Sequence, residues 1–592
     1  MNTAAIYHRP ESEYAYLYKK DHMHIRLRTA KGDMKHVYLI SGDPYLLDKE
    51  AWYNEREEMK KIGSTSLYDY WFIEKTAPFH RLSYGFEVEG VEGIKAFYGD
   101  HGVYAATEPF ISMPNNYFRL PYFHEIDRVK PIEWVKETVW YQIFPERFAN
   151  GDHTNDPDGT LPWGSKNPDR DDFFGGDLQG IIDHLDYLED LGINGLYLCP
   201  IFKAHSNHKY DTIDYLKVDP AFGDEATLKE LIAKCHERGI KIMLDAVFNH
   251  IGDTSPQWQD VLENGANSKY AKWFHIHEFP ATYTPGDHDE DARDLTYDVF
   301  AFTPHMPKLN TANPEVQAYL LNIATYWIKE FDIDAWRLDV ANEVDHAFWK
   351  KFREACTAVK DDFYILGEIW HSSQSWLQGD EFSAVMNYAY TDSIKDYMIE
   401  HTIDSTKLVS ELTDQLMLYR SQINQMQFNV LDSHDTPRIL TETRGDKDLM
   451  RQVMAFTYLQ PGVPCIYYGD EIGMTGEMDP DCRKCMVWDE QEQDLALKEF
   501  VKQLIALRKT HIPTLSEGSL VWQIDEACED HLCLIRRNQG TIIKSYFNCG
   551  TTAKTISQTE ILMQNLAYEK EGTIMIEPKG FVVTVEEEAS DE

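Results

Sequence analysis

From about residue 138 the sequence keeps one rhythm: short, unbroken apolar runs separated by stretches whose apolar positions fall at helical spacing. Strands buried on both faces read in this way, and they occur where a parallel sheet is covered by crossover helices. The runs are "TVWYQIFP", "NGLYLCP", "IKIMLDAVFNH", "IDAWRLDV", "FYILGEIW", "SAVMNYAY", "QFNVLDSHD" and "CIYYGDE". Eight of them suggest a sheet closed on itself, an α/β fold of the (β/α)8 TIM-barrel type. The helices between them are also legible. "NPEVQAYLLNIATYWIKEF" offers Asn313 as N-cap and Pro314 in the first turn, with Val316, Leu320, Ile323 and Trp327 on one stripe. Leu228, Leu231, Ile232 and Cys235 make a second stripe, ended by Gly239.

At 592 residues the chain is too long for one core. The third run ends near His250 and the fourth starts near Ile333, and the roughly eighty residues between them exceed an ordinary βα connection. An inserted subdomain is therefore expected at about residues 251–310. Residues 1–123 alternate in short segments such as "HIRLRTA" and "HVYLIS" without a helical stripe, which predicts an N-terminal β-sandwich. Residues 512–592 again read as antiparallel strands and predict a second, C-terminal β-sandwich, leaving 124–511 for the barrel. The final "EEEASDE" reads as a frayed end.

Lys and Arg number 57 against 99 Asp and Glu, a formal net charge of -42. A field of that sign repels nucleic acid and anionic membranes at long range and leaves a neutral substrate unaffected. No stretch approaches the roughly 20 apolar residues that span a bilayer. The first residues lack a basic segment followed by an apolar one, so a cytoplasmic protein is expected. The nine cysteines are an odd count, and Cys199 and Cys465 sit inside apolar runs, as reduced core thiols do. Cys482 and Cys485 form a single CxxC without the second pair that a zinc site needs, and read as structural or incidental.

Within "IDAWRLDV" alternate residues share a face, so Arg337 and Asp339 point one way while Trp336 and Leu338 point the other. An ion pair inside a barrel is costly unless something needs it, and barrel enzymes build their sites at the C-terminal ends of the strands. Charged or imidazole groups recur at equivalent ends: Asp245, Asn249 and His250 in "LDAVFNH", Glu368 in "LGEIW", His434 and Asp435 in "DSHD". One such residue is as well explained by a structural ion pair; four strands aiming them at one rim are not. Carboxylates without a Cys/His metal set or a phosphate-cradling loop suit glycoside hydrolysis, in which one protonates the departing oxygen and another attacks or activates water. No GxxxxGK[ST] is present, and no GxGxxG follows a strand.

"DAVFNH", "WRLDVANEV", "GEIW" and "LDSHD", in that order, resemble the signature segments of the alpha-amylase family of glycoside hydrolases. "MPKLN" at residues 306–310 is similar to the segment of the branch containing neopullulanase, cyclomaltodextrinase and maltogenic amylase, which also carries an N-terminal β domain of this size. The resemblance implies that Asp339 is the nucleophile, Glu368 the general acid/base and Asp435 a third acid that orients sugar hydroxyls. It places Tyr210, Asp245, Asn249, His250, Arg337 and His434 around the sugar at the cleavage point, and Glu343 and Trp370 on the acceptor side. For the last two, a solvated acid and a packed indole are equally good readings. Arg337, on the same face as Asp339, can hold that acid ionised. The expectation is therefore a low Asp339, with Glu368 raised by burial or a like charge. Retaining chemistry needs the two carboxyl groups about 5 to 5.5 Å apart.

"NGDHTND" supplies Asn150, Asp152, Asn155 and Asp156, hard oxygen donors suited to calcium. The resemblance completes a structural calcium loop with the Gly175 carbonyl and Asp177. It also implies retaining cleavage of α-1,4-glucosidic bonds in cyclomaltodextrins, pullulan and maltooligosaccharides, with α-1,6 bonds left open, together with glycosyl transfer and a homodimer formed through the N-terminal domain. The alternatives within the family are an oligo-1,6-glucosidase or a glucosyl isomerase. The alternative outside catalysis is an inactive carbohydrate-binding relative, which should lack one of the three acids.

Overall fold

The computed structural model describes residues 1–46, 52–525 and 528–588, with the backbone alone at 528 and 529; residues 589–592, where fraying was expected, lie outside the described residues. By compactness the chain divides into two units, one of residues 132–391 and 426–512 and the other of 1–131, 392–425 and 513–592.

The first unit is the barrel. Its strands are β1 (Trp140–Ile143), β2 (Gly195–Leu198), β3 (Lys241–Ala246), β4 (Ala335–Leu338), β5 (Tyr364–Gly367), β6 (Ala384–Val385), β7 (Phe428–Val430) and β8 (Val463–Tyr467), one in each of the eight apolar runs. They lie in the order β6-β5-β4-β3-β2-β1-β8-β7, and the neighbours are parallel. A parallel bridge between Met386 and Phe428, with the Asn387 N–H donating to the Phe428 carbonyl at 2.8 Å, joins the two ends of this series and closes the sheet.

The alternation along β4 sorts the side chains as the pleat requires. Trp336 faces the helical layer, where its indole N–H donates to the Ala324 carbonyl at 3.2 Å. Ala324 belongs to helix Pro314–Phe331, capped by the Asn313 side chain on the Glu315 N–H, and the stripe Val316, Leu320, Ile323 and Trp327 is buried. Helix Glu225–Glu237 buries Leu228, Leu231, Ile232 and Cys235 in the same manner. Arg337, on the opposite face of β4, points into the barrel mouth.

Between β3 and β4, residues 251–310 form the inserted subdomain. It has one α-helix, Pro256–Asn264, capped by Ser255, three short 3-10 helices and isolated antiparallel bridges such as His250 with Lys308 and Phe274 with Leu309.

In the second unit the N-terminal strands form two antiparallel sheets, of four and six strands. Ile25, Leu27, Val37, Leu39, Tyr84, Phe86 and Val88 are part of their shared core. Helix Ser405–Met417 and the turn after it, which the sequence places in the barrel domain, belong to this unit. The Ser66 N–H donates to Ser410 Oγ at 2.8 Å, Arg26 to the Tyr419 carbonyl at 2.8 Å, and Gln422 Nε2 to the Leu17 carbonyl at 2.9 Å. Where two stacked C-terminal sheets were expected, hydrogen bonding links the six strands into one antiparallel network through the long strand Thr573–Glu587, with Lys579 at φ +66°. Each cysteine whose side chain is described is free, and all but Cys549 are buried. Among the described residues no helix is long and apolar enough to cross a membrane.

Candidate active site

β3 and β4 pair with Asp245 opposite Arg337. The Arg337 guanidinium is buried, and its two terminal nitrogens gather three carboxyl groups. Nη1 donates to Asp339 Oδ1 at 2.8 Å and to Asp245 Oδ2 at 3.0 Å, and Nη2 lies 3.0 Å from Glu368 Oε2. Glu368, just past β5, also accepts the Val340 N–H at 2.9 Å and the Trp370 indole N–H at 3.3 Å. Val340 holds φ at +47°, a left-handed conformation that is a true outlier for a β-branched residue. That turn brings the peptide N–H following the Asp339 carbonyl onto Glu368.

A second arm runs from Asp245 to Asp435. Asp245 Oδ2 accepts the Tyr197 hydroxyl at 2.7 Å and the Tyr210 hydroxyl at 3.0 Å. Because Tyr210 spends its proton on Asp245, it accepts from His434 Nε2–H at 2.8 Å, which leaves His434 Nδ1 to accept from Gln142 Nε2 at 2.8 Å. The Tyr210 and His434 rings lie nearly parallel, 4° apart in plane with centroids at 5.5 Å. His434 Nε2 is 3.3 Å from Asp435 Oδ2, and Arg483 Nη2 donates to Asp435 Oδ1 at 3.2 Å. The chain Asp435, His434, Tyr210, Asp245, Arg337 therefore reaches both Asp339 and Glu368.

On the other flank, His250 Nε2 meets the Tyr210 carbonyl at 3.1 Å, and Asn249 Nδ2 meets His250 Nδ1 at 3.3 Å. Trp370 is partly exposed and stacks on Tyr388 with centroids 3.8 Å apart. Glu343 is exposed on the loop after β4, and its backbone carbonyl accepts from Lys308 Nζ at 2.9 Å.

Burial raises the Asp245 carboxyl to about 6, Arg337 opposing it. Burial also lifts Asp339 well above the usual carboxylate range, with Glu368 adding to the rise and Arg337 opposing. The expected low Asp339 is thus corrected: Arg337 is shared with two other carboxyl groups, and it does not offset the desolvation of Asp339 and its repulsion by Glu368 and Asp245. Burial drives His434 well below the ordinary imidazole value, helped by Arg483 and Arg337, and takes His250 to about 3. Both rings are neutral at physiological pH.

The family model for the alpha-amylase catalytic domain matches residues 142–506, and that for the alpha-amylase N-terminal ig-like domain matches residues 1–124. The chain belongs to the alpha-amylase family. As a member of it, the chain is a glycoside hydrolase. It is 52% identical over 562 residues to the intracellular maltogenic amylase of Bacillus subtilis (strain 168), covering 95% of this chain and 93% of that protein. It is 50% identical over 556 residues to a cyclomaltodextrinase of Geobacillus thermopakistaniensis, covering 94% and 92%. A solved cyclomaltodextrinase structure superposes with a TM-score of 0.90 at 44% identity, covering 99% of this chain and 100% of that one.

Four members of this candidate site escaped the sequence reading. Gln142 and Tyr197 were visible as polar groups within apolar strands, a signal that was there to be used. Arg483 sits in "DPDCRKC", which has no periodicity to orient it, and the left-handed backbone at Val340 contradicts what valine ordinarily predicts.

The loop after β1 bears on calcium. Asp177 caps the following helix on the Gly180 N–H at 2.7 Å and also accepts the N–H groups of Gly151 and Asp152 and the Asn155 amide. Asn150 donates to Asp156 Oδ1 at 2.8 Å. Both asparagines thus turn nitrogen toward a carboxylate, and the buried Oδ1 atoms of Asn150 and Asn155 have no hydrogen-bond partner. A Cβ on Gly175 would fall 2.5 Å from Asp156 Oδ1, so only glycine fits beside this loop. Among the described residues no cluster of three or more His, Cys, Asp and Glu side chains is disposed to hold a metal. Here, however, many donors are amide and backbone oxygens, and orphaned oxygens among carboxylates fit a hard cation.

Two outcomes follow from this site. Asp245→Asn removes a like charge beside Asp339 and frees Arg337 to pair with it, and both effects favour ionised Asp339. The acid limb of the kcat/KM profile should therefore move to lower pH, and a limb that moves upward or stays fixed contradicts the coupling. Chelation by EDTA should lower the melting temperature and added Ca2+ should restore it, whereas Asn150→Ala/Asn155→Ala should no longer respond to either.

Proposed function

We propose that this chain is a retaining hydrolase of α-1,4-glucosidic bonds in small cyclic and linear maltodextrins, and that it also passes the glycosyl group to sugar acceptors. The observation that carries this reading is the Arg337 clamp. Two carboxyl groups held on the two terminal nitrogens of one guanidinium are near neighbours, as double displacement, in which a close pair flanks the scissile bond, demands.

In the first step Asp339 attacks the anomeric carbon as the bond to the leaving oxygen breaks, and Glu368 gives that oxygen its proton. In the second, a water or sugar hydroxyl attacks the same carbon, its proton passes to Glu368, and the bond to Asp339 breaks. The reaction starts from the arrangement in which Glu368 carries a proton and Asp339 does not. Arg337 favours Asp339 as its negative charge returns. Asp435 and Asp245 accept from sugar hydroxyls, neutral His250 and His434, whose N–H groups are taken by the Tyr210 carbonyl and hydroxyl, hold Tyr210 beside the sugar, and the Tyr210 ring meets the C–H face of the pyranose. Trp370 and Glu343 serve the acceptor side. A calcium ion held by Asn150, Asp152, Asn155, Asp156, the Gly175 carbonyl and Asp177 would stiffen the loop after β1.

The names of the relatives, maltogenic amylase and cyclomaltodextrinase, support the choice of substrates, and "intracellular" in one of them, together with free buried cysteines, supports a cytoplasmic site of action. Tyr45, Phe79, Tyr122 and Ile126 are exposed apolar side chains in the N-terminal region, which supports a homodimer formed through it.

Cyclomaltodextrin digestion followed by proton NMR should release the α-anomer first; the β-anomer would refute double displacement. Asp339→Asn and Glu368→Gln should each lower kcat by about 10³-fold or more with the fold intact. Sedimentation equilibrium should give twice the chain mass of 68.8 kDa, and a monomer with full cyclomaltodextrin activity would remove the dimer from the account.

A further inference from the structure

Lys308 lies in the inserted subdomain, and the backbone there is tied directly to the end of β3. The Leu309 N–H donates to the Asn249 carbonyl at 3.0 Å and the Ile251 N–H to the Pro307 carbonyl at 3.2 Å, so the segment pairs with His250 as a short antiparallel bridge. This pairing delivers the Lys308 ammonium to two acceptors. It donates to Asn249 Oδ1 and, at 2.9 Å, to the backbone carbonyl of Glu343 on the loop after β4.

An ammonium can only donate, so Asn249 must present its oxygen to Lys308 and its Nδ2 to His250. His250 Nδ1 must then accept. From the other end, the Tyr210 carbonyl can only accept, so His250 Nε2 must carry the proton. The two constraints meet on one tautomer of a fully buried ring. Phe300 fixes the plane of that ring by stacking on it, with centroids 5.1 Å apart. The charged and titratable groups that interact with Lys308 are Glu343, Asp298 and Asp345, with His250 and His275 feeling its charge in turn.

We propose that Lys308 is a positioning residue that couples the inserted subdomain to both sides of the cleavage point, fixing the His250 tautomer through Asn249 and holding the Glu343 loop through its peptide carbonyl. This rests on the glycosyl-transfer reading above. Lys308 touches no reacting atom. It sets whether Glu343 is in place when the glycosyl group on Asp339 is taken by a sugar rather than by water. Lys308 also lines, with His277, Tyr297 and Phe302, a cavity of about 410 Å³.

The test is the ratio of transfer to hydrolysis, measured on maltotriose with glucose as acceptor, in wild type, Lys308→Met, Lys308→Arg and Glu343→Ala. Loss of a charged donor to two acceptors should lower the ratio about tenfold in Lys308→Met. Lys308→Arg, which keeps donors in reach, should recover most of it. Lys308→Met placed in the Glu343→Ala background should cause little further fall. Thermal unfolding monitors the fold throughout, and if Lys308→Met does not fold, Lys308→Gln carries the same comparison. A folded Lys308→Met or Lys308→Gln protein with the wild-type ratio overturns the proposal, as does a full additional fall on top of Glu343→Ala. Wild type that does not act on maltotriose at all would instead sink the functional reading, so the two failures are distinguishable.

Discussion

A buried guanidinium shared by three carboxyl groups is the constraint around which the barrel is arranged. Taking such ions out of water costs several kcal/mol each even after relaxation, and only close, well-directed hydrogen bonds offset it. Arg337 meets that condition because β3, β4 and β5 pair in one register, which sets Asp245 beside it and Asp339 and Glu368 beyond the strand ends. A slip of one residue in β4 would turn Arg337 to the helical layer and Trp336 into the mouth. The apolar contacts that fix strand register thus also fix the chemistry.

Two further buried arginines extend the same logic across the same rim. Arg438 donates to the Cys482 carbonyl at 3.0 Å, to the Tyr468 carbonyl at 2.6 Å and to Asp470 at 3.0 Å, binding the loop after β7 to the segments after β8. Arg483, on one of those segments, donates to the His434 carbonyl and to Asp435. The third acid, 35% exposed in its side chain, is thus held by loops rather than by a strand, and its more open setting differs from the enclosed Asp339 and Glu368.

The barrel was legible in the sequence because a parallel sheet buried on both faces leaves unbroken apolar runs, and all eight carried their strands. The acids were legible for the opposite reason, since charge inside such a run conflicts with burial. What escaped lacks either signature. Helix Ser405–Met417 has an amphipathic pattern, but a pattern says that a face is covered and not by what, and its contacts lie with N-terminal and C-terminal strands. The Asp339 expectation weighed the near charge of Arg337 without the depth of burial, which only the folded chain reveals. The loop after β1 announced its oxygen donors, while the orphaned amide oxygens of Asn150 and Asn155 are a property of side-chain orientation.

Val340 carries a consequence for engineering. A β-branched residue held left-handed costs on the order of 1 to 3 kcal/mol, and glycine is the usual remedy for such a position. Any stability-driven redesign would select that exchange early. Yet this same peptide offers its N–H to Glu368, and a freer backbone there would let the donor wander from the carboxyl it steadies. A gain in thermal tolerance bought at this turn would be drawn from turnover, which marks residue 340 as one for a protein engineer to leave alone.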